Sequence, residues 1–169
     1  MWRVVPRAQR PTGPAWVVGK LVHQAIRRWR FPDAPDFEAF LYPHALEAGL
    51  TDQAEIAGAI REARRLLERF RAHPLWAKMN AAQRWHELPY TVADDAGIVD
   101  VLYRHGDVWV IADFKTDEIR RADQVADRIA EEKYDEQLRR YADAVAAQLG
   151  VRPRTMLVFL NVARQVLVV

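Results

Sequence analysis

Two aspartates and a lysine stand in neighbouring runs of the second half of the chain, Ile98-Val-Asp100 and Ile111-Ala-Asp113-Phe-Lys115. On a strand, residues two apart point to the same side, so Asp113 and Lys115 project together with Trp109 and Ile111. A hairpin pairing the two runs near its open end brings Asp100 alongside. Two carboxylates supply oxygen ligands for a hard divalent cation, and an ammonium beside them can hold or deprotonate a water. That is phosphodiester chemistry in outline. The bland alternative is a surface ion pair, the usual fate of Asp-x-Lys on a strand. Two features weigh against it. Asp113 and Lys115 end a strand written Val108-Trp-Val-Ile-Ala, where flanking burial makes an unpaired charge costly. The chain also uses 21 Arg to only 4 Lys, and lysine is the cation that can act as a compact, deprotonatable donor.

Composition narrows the alternatives. The 169 residues contain no cysteine and no serine, which removes a Ser or Cys nucleophile, a Cys-ligated zinc and a disulfide scaffold. Gly13 to Lys20 only superficially suggests a phosphate-binding loop: five residues rather than four separate Gly13 from Gly19, Leu21 follows Lys20, and no strand precedes. His44, His73, His86 and His105 form no metal-ligand spacing. The net charge of +2 is unevenly spread. Met1 to Arg30 carries seven bases and no acid, leaving 18 bases against 23 acids, a balance of −5, for the rest. The basic end is a candidate polyanion contact, and Trp16 or Trp29 could stack on bases, although core packing suits Trp29 better. No apolar run approaches the roughly 18 residues of a membrane span, and neither a signal peptide nor a transit peptide is recognisable. A cytoplasmic protein without a membrane partner is expected.

The elements that must position these residues follow from periodicity. Val18 to Arg30 reads as an amphipathic helix, stopped by Phe31-Pro32. Asp36 can cap a second, Phe37 to Ala48, which Pro43 should break or kink. Asp52 and Glu55 form a capping-box pattern ahead of an apolar stripe from Ile56 to Phe70 that ends at His73-Pro74. From Gln83 the pattern turns to strands: Trp85 to Val92, a turn at Asp94-Asp95-Ala96-Gly97, Ile98 to Arg104, a turn at His105-Gly106-Asp107, and Val108 to Lys115. A helical region from about Arg121 to Leu149 should break near Glu131 to Lys133. Met156 to Leu160 is apolar without alternation, as in a strand covered on both faces, and Gln165 to Val169 can add a last strand. The order predicts one α/β domain over 1–169: a basic Pro/Gly-rich segment at 1–17, a helical part at 18–82, and a sheet core with a long helix at 83–169.

Several of these runs carry a family resemblance. Gly97-Ile-Val-Asp100, Val110-Ile-Ala-Asp113-Phe-Lys115-Thr116-Asp117, and Tyr134 with Gln137-Leu-Arg-Arg-Tyr141 resemble the RecB/AddA-type nuclease domain of the PD-(D/E)XK superfamily. Gly19-Lys-Leu-Val-His23 looks like that family's helical histidine motif, and Glu87-Leu-Pro89 like its glutamate motif. The resemblance implies a PD-(D/E)XK core, a mixed central sheet in αβββαβ order flanked by helices, with extra N-terminal helices. It implies a Mg²⁺-dependent deoxyribonuclease, with Mn²⁺ as a substitute. The absence of cysteine removes the iron-sulfur branch. Asp100 and Asp113 become the metal-binding carboxylates, His23 a further ligand, and the Phe114 carbonyl a completing one. Lys115 would orient or activate the attacking water, and Glu87 would bind the metal directly or through water. Gln137 and Tyr141, one helical turn apart, would abut the site and help place DNA or the lysine. The family's common residue at 114 is tyrosine; phenylalanine changes little if the backbone is the ligand. Taken alone, His23 reads as an ordinary histidine, Glu87 as a strand acid, Gln137 as helix surface and Tyr141 as a core aromatic. The resemblance further implies DNA as partner and a helicase motor, in the same polypeptide or complex, in DNA end processing and recombinational repair. Two other readings compete: a non-catalytic DNA-binding or docking module with a nuclease-like fold, which a missing catalytic residue would favour, and an unrelated α/β protein, which requires Asp100 and Asp113 to lie far apart.

Overall fold

A computed structural model describes residues 13–169; Arg3, Arg7 and Arg10 of the basic segment lie outside them. Four helices come first: α1 (Ala15–Arg28), α2 (Phe37–Glu47), α3 (Gln53–Ala72) and α4 (Pro74–Ala81). The strands β1 (Gln83–Val92), β2 (Asp95–His105) and β3 (Val108–Lys115) follow, then a 3-10 turn, α5 (Val125–Glu132), α6 (Tyr134–Leu149), β4 (Arg154–Val162) and β5 (Gln165–Val168). The sheet order is β1-β2-β3-β4-β5. The β3/β4 pair is parallel and the other pairs are antiparallel. This is a mixed α/β fold, consistent with a PD-(D/E)XK core preceded by extra helices.

Helix α1 buries Val17, Val18, Leu21, Val22, Ala25 and Ile26, and ends where Trp29 turns left-handed (φ 49°). Trp29 thus leaves the helix; its ring packs edge-on to Phe31 and Phe70 and its Nε1 donates to Asn80 Oδ1 at 2.8 Å. Helix α2 runs through Pro43 unbroken by its lost N–H. Phe37, Leu41 and Ala45, four residues apart and fully buried, hold one face in place more strongly than the proline disrupts it. At the start of α3, Asp52 Oδ1 accepts the Glu55 N–H at 3.0 Å, as the sequence leads one to expect.

Two local features depart from expectation and a third agrees with it. His73-Pro74, read as a stop, also starts α4: Pro74 takes the first helical position and His73 Nδ1 accepts the Leu75 N–H at 3.2 Å. The β1/β2 ladder closes at Val92↔Asp95, so the turn is Ala93-Asp94, with Ala93 at φ 50°, rather than Asp94 to Gly97. Gly97 lies within β2, opposite Tyr90, and is glycine for packing: a Cβ there would stand 2.8 Å from the Tyr90 ring. The break between α5 and α6 falls at Lys133 (φ 54°), within the expected stretch.

The sheet carries apolar packing on both faces. Val101, Tyr103, Val110, Ala112 and Phe114 meet the N-terminal helices, while Val99, Leu102 and Ile111 pack with Leu138, Tyr141 and Val145 of α6. In β4, Leu157, Val158, Phe159 and Leu160 are all buried, as a strand sandwiched between helices requires. Among the described residues, no helix is long and apolar enough to cross a membrane.

Candidate active site

One row of the sheet interrupts its hydrogen-bonded ladders. The pairs His86↔Val101 and Leu88↔Val99 bracket Glu87 and Asp100, which face each other by register without pairing. The β2/β3 ladder stops at Val101↔Ala112, one step short of Asp100 and Asp113. Three acids therefore occupy one row across three adjacent strands. Two causes are visible. Glu87 has a left-handed backbone (φ 45°), and the Phe114 N–H donates to Asp100 Oδ2 at 2.9 Å in place of a backbone acceptor. The reading that requires Asp100 and Asp113 far apart does not describe this chain.

Helix α1 crosses the row with a stripe of period four: Gly19, His23 and Arg27. Bare Gly19 admits the chain just past β3 closely, since a Cβ there would lie 3.1 Å from Thr116 Oγ1. His23 Nε2 is 3.3 Å from Asp100 Oδ2, and Nδ1 is 2.8 Å from the Gly19 carbonyl. Burial disfavours the imidazolium, but the hydrogen bond and charge of Asp100, the Gly19 carbonyl and the charge of Asp113 together outweigh it and raise the pKa to about 9. One turn further, Arg27 Nη1 lies 3.1 Å from Glu87 Oε2.

Asp113 is the only charged residue in the buried core of the described part, 3% exposed. Burial, and then the charge of Asp100, push its carboxyl above the usual carboxylate range against the pull of Lys115 and His23. Lys115 Nζ approaches its Oδ2 to 2.7 Å, and no other described group reaches that buried oxygen. The ammonium also donates to Gln137 Oε1 at 2.9 Å, and Gln137 Nε2 donates to the Tyr141 hydroxyl at 2.8 Å. Burial, and then Asp113 and Asp100, raise the Tyr141 pKa. The Lys115 Nζ also sits 4.0 Å from the Tyr134 ring centroid. The Tyr134 hydroxyl donates to Asp117, which Arg128 pairs from the other side at 3.2 Å.

The residues singled out in the sequence thus converge: His23 on Asp100, and Lys115 on Asp113 with Gln137 and Tyr141 behind it. Glu87 shares their row but is held by Arg27. The Phe114 ring points to the opposite face, its centroid 5.1 Å from that of Phe70, and its N–H meets the site at Asp100. Arg27 and Arg128 carry no sequence-based expectation of a site role, and Asp117 and Tyr134 enter only as members of the motifs. Arg27 was within reach, being four residues beyond His23 on a recognised helix.

The donor set suits a hard cation. Carboxylate oxygens dominate, and Asp113 Oδ2 is buried with only the Lys115 ammonium against it among the described residues. Among the described residues no group of three His, Asp or Glu already converges on a cation position; imidazolium and ammonium groups contact the two aspartates instead. His23 could ligate only after losing a proton.

A sequence profile of the PD-(D/E)XK nuclease superfamily matches residues 3–167, and the chain belongs to that superfamily. No curated protein matches it. Among solved structures it is similar to protein VC1899 from Vibrio cholerae, at 15% identity and a TM-score of 0.35, over 89% of this chain and 42% of that one. The chain spans less than half the length of that protein, and the likeness is too slight to bear on the site.

Proposed function

We propose that the chain is a divalent-cation-dependent deoxyribonuclease whose working residues are Asp100, Asp113, Lys115 and His23, with Glu87, Gln137 and Tyr141 in support. The observation that carries this reading is the ladder break that sets Asp100 opposite Asp113 with the Lys115 ammonium 2.7 Å from Asp113. Asp100 and Asp113 hold the cation, Mg²⁺ or Mn²⁺, with the Phe114 carbonyl and a deprotonated His23 as further donors. When bound, the cation neutralises charge on the phosphoryl group and makes a water more acidic. The Phe114 N–H fixes the Asp100 carboxylate, and Gln137 with the Tyr134 ring fixes the lysine. Lys115 orients the attacking water and stabilises charge developing on the phosphate. Glu87, once Arg27 releases it, supports the cation directly or through water.

The order of the motifs from Gly19 to Tyr141 supports a finer assignment to the RecB/AddA type. On that assignment the domain works with a helicase motor, in the same polypeptide or a complex, in processing DNA ends for recombinational repair. The test is cleavage of linear single- and double-stranded DNA in Mg²⁺ or Mn²⁺, beside EDTA, Asp113→Ala and Lys115→Ala. Metal-dependent products absent from both variants are expected. Cleavage retained by Asp113→Ala would contradict the assignment.

A further inference from the structure

A groove of about 610 Å³ opens beside the end of β3, bounded by the start of α1, by α3 and by the β4–β5 turn. Thr116 and Asp117, which follow Lys115, line it, so it is continuous with the proposed site. Its charges are not balanced internally. Glu62 pairs with Arg65 at 3.1 Å and Asp117 with Arg128 at 3.2 Å; only exposed Glu118 has no ion pair among the described residues. Two guanidinium groups remain. Arg69 donates to Asn161 Oδ1 at 2.6 Å and to the Leu160 carbonyl, and has no ion pair among the described residues. Arg164 has no ion pair or hydrogen bond among the described residues. It occupies the two-residue turn Ala163-Arg164, both left-handed (φ 47° and 63°), a conformation that favours Asn-Gly. Burial, with repulsion from Arg65 and Arg164 against attraction by Glu62, lowers the Arg69 pKa. Two guanidiniums without a paired carboxylate among the described residues, Arg164 free of hydrogen bonds and Arg69 held by Asn161, are suited to a phosphate oxyanion on one groove. At the mouth, Trp16 is 58% exposed, with Lys20 Nζ 5.7 Å from its ring.

We propose that this groove holds unpaired nucleotides next to the scissile phosphate, with a base stacked on Trp16 and the backbone on Arg69 and Arg164. The proposal rests on the nuclease reading and adds the state of the strand. A duplex keeps all base faces but those of its end pairs within the stack, so along the strand only an unpaired base can use the Trp16 ring.

The test is fluorescence anisotropy of a labelled oligothymidine and a blunt duplex of two complementary strands in EDTA, followed by cleavage of both in Mg²⁺. The proteins are the full chain, Trp16→Ala and Arg164→Asn, the last keeping a residue that tolerates the turn. Trp16→Ala should weaken single-strand binding by about tenfold, the worth of a stacked base. Arg164→Asn should weaken it too, and both should leave duplex binding and thermal unfolding nearly unchanged. Variants that bind the oligothymidine like wild type, or lose both DNAs equally, overturn the proposal. Wild-type cleavage with unaffected variants removes the groove and leaves the nuclease. Groove-dependent single-strand binding without any wild-type cleavage supports the groove and overturns the nuclease reading.

Discussion

Lys115 is constrained from three directions: Asp113 at 2.7 Å, the Gln137 carbonyl at 2.9 Å and the Tyr134 ring centroid at 4.0 Å. A compact ammonium fits between them and a planar guanidinium does not, so Lys115→Arg should fail to restore cleavage lost in Lys115→Ala. Gln137→Leu removes the amide that links Lys115 to Tyr141. Mispositioning of this order costs about 100-fold in rate; single-turnover cleavage should fall toward that extent while the unfolding midpoint barely moves. Tyr141→Phe, which removes only the far end of the chain, should cost less. His86 offers a separate test by pH. Burial, then Arg84, lowers its pKa below 6.5 against a backbone hydrogen bond at Ile26. The unfolded chain therefore binds this proton more readily. The stability it contributes is fully present above pH 6.5 and is lost as pH falls toward the folded value. His86→Gln should show a shallower drop in melting temperature than wild type on acidification below pH 6.5; equal slopes would refute this.

The elements act through where they lie on the sheet. Gly19 lets α1 approach Thr116, which places His23 over Asp100 and Arg27 over Glu87. Gly19→Leu should lift the helix and reduce cleavage sharply while far-UV circular dichroism stays native. Pro43 leaves a carbonyl of α2 without its partner, so Pro43→Ala should raise stability in urea unfolding by about 1 to 3 kcal/mol. Much of this architecture was legible because it is local. The buried stripe of α1, the capping of α3 by Asp52 and the break at Lys133 are written in spacing and side-chain type. Pro74 hid α4 because proline both ends a helix and opens one. The Asp94 to Gly97 run concealed the true turn because Gly97 serves packing against Tyr90.

At the scale of the molecule, the site depends on contacts that no local pattern encodes. The sequence pointed to Asp100, Asp113 and Lys115 by type and spacing, and motif resemblance added His23, Glu87, Gln137 and Tyr141. Their arrangement as one unpaired row, with Glu87 left-handed and tied to Arg27, depends on register across three strands and on the docking of α1. Charge distribution also acts at this scale. The chain carries only +2 overall but seven bases and no acid in Met1 to Arg30, so its affinity for DNA should fall steeply with added salt. The slope of log affinity against log salt should flatten by about one in Arg164→Asn if that residue meets a phosphate.

The central claim is that Asp100 and Asp113 share one cation and that this cation is required for hydrolysis. Calorimetric titration of Mn²⁺ into wild type, Asp100→Asn and Asp113→Asn, with DNA cleavage assayed on the same samples, tests it most directly. Wild type should give a binding isotherm that is lost in both variants together with cleavage. Unchanged Mn²⁺ binding and persistent cleavage in either variant would contradict it.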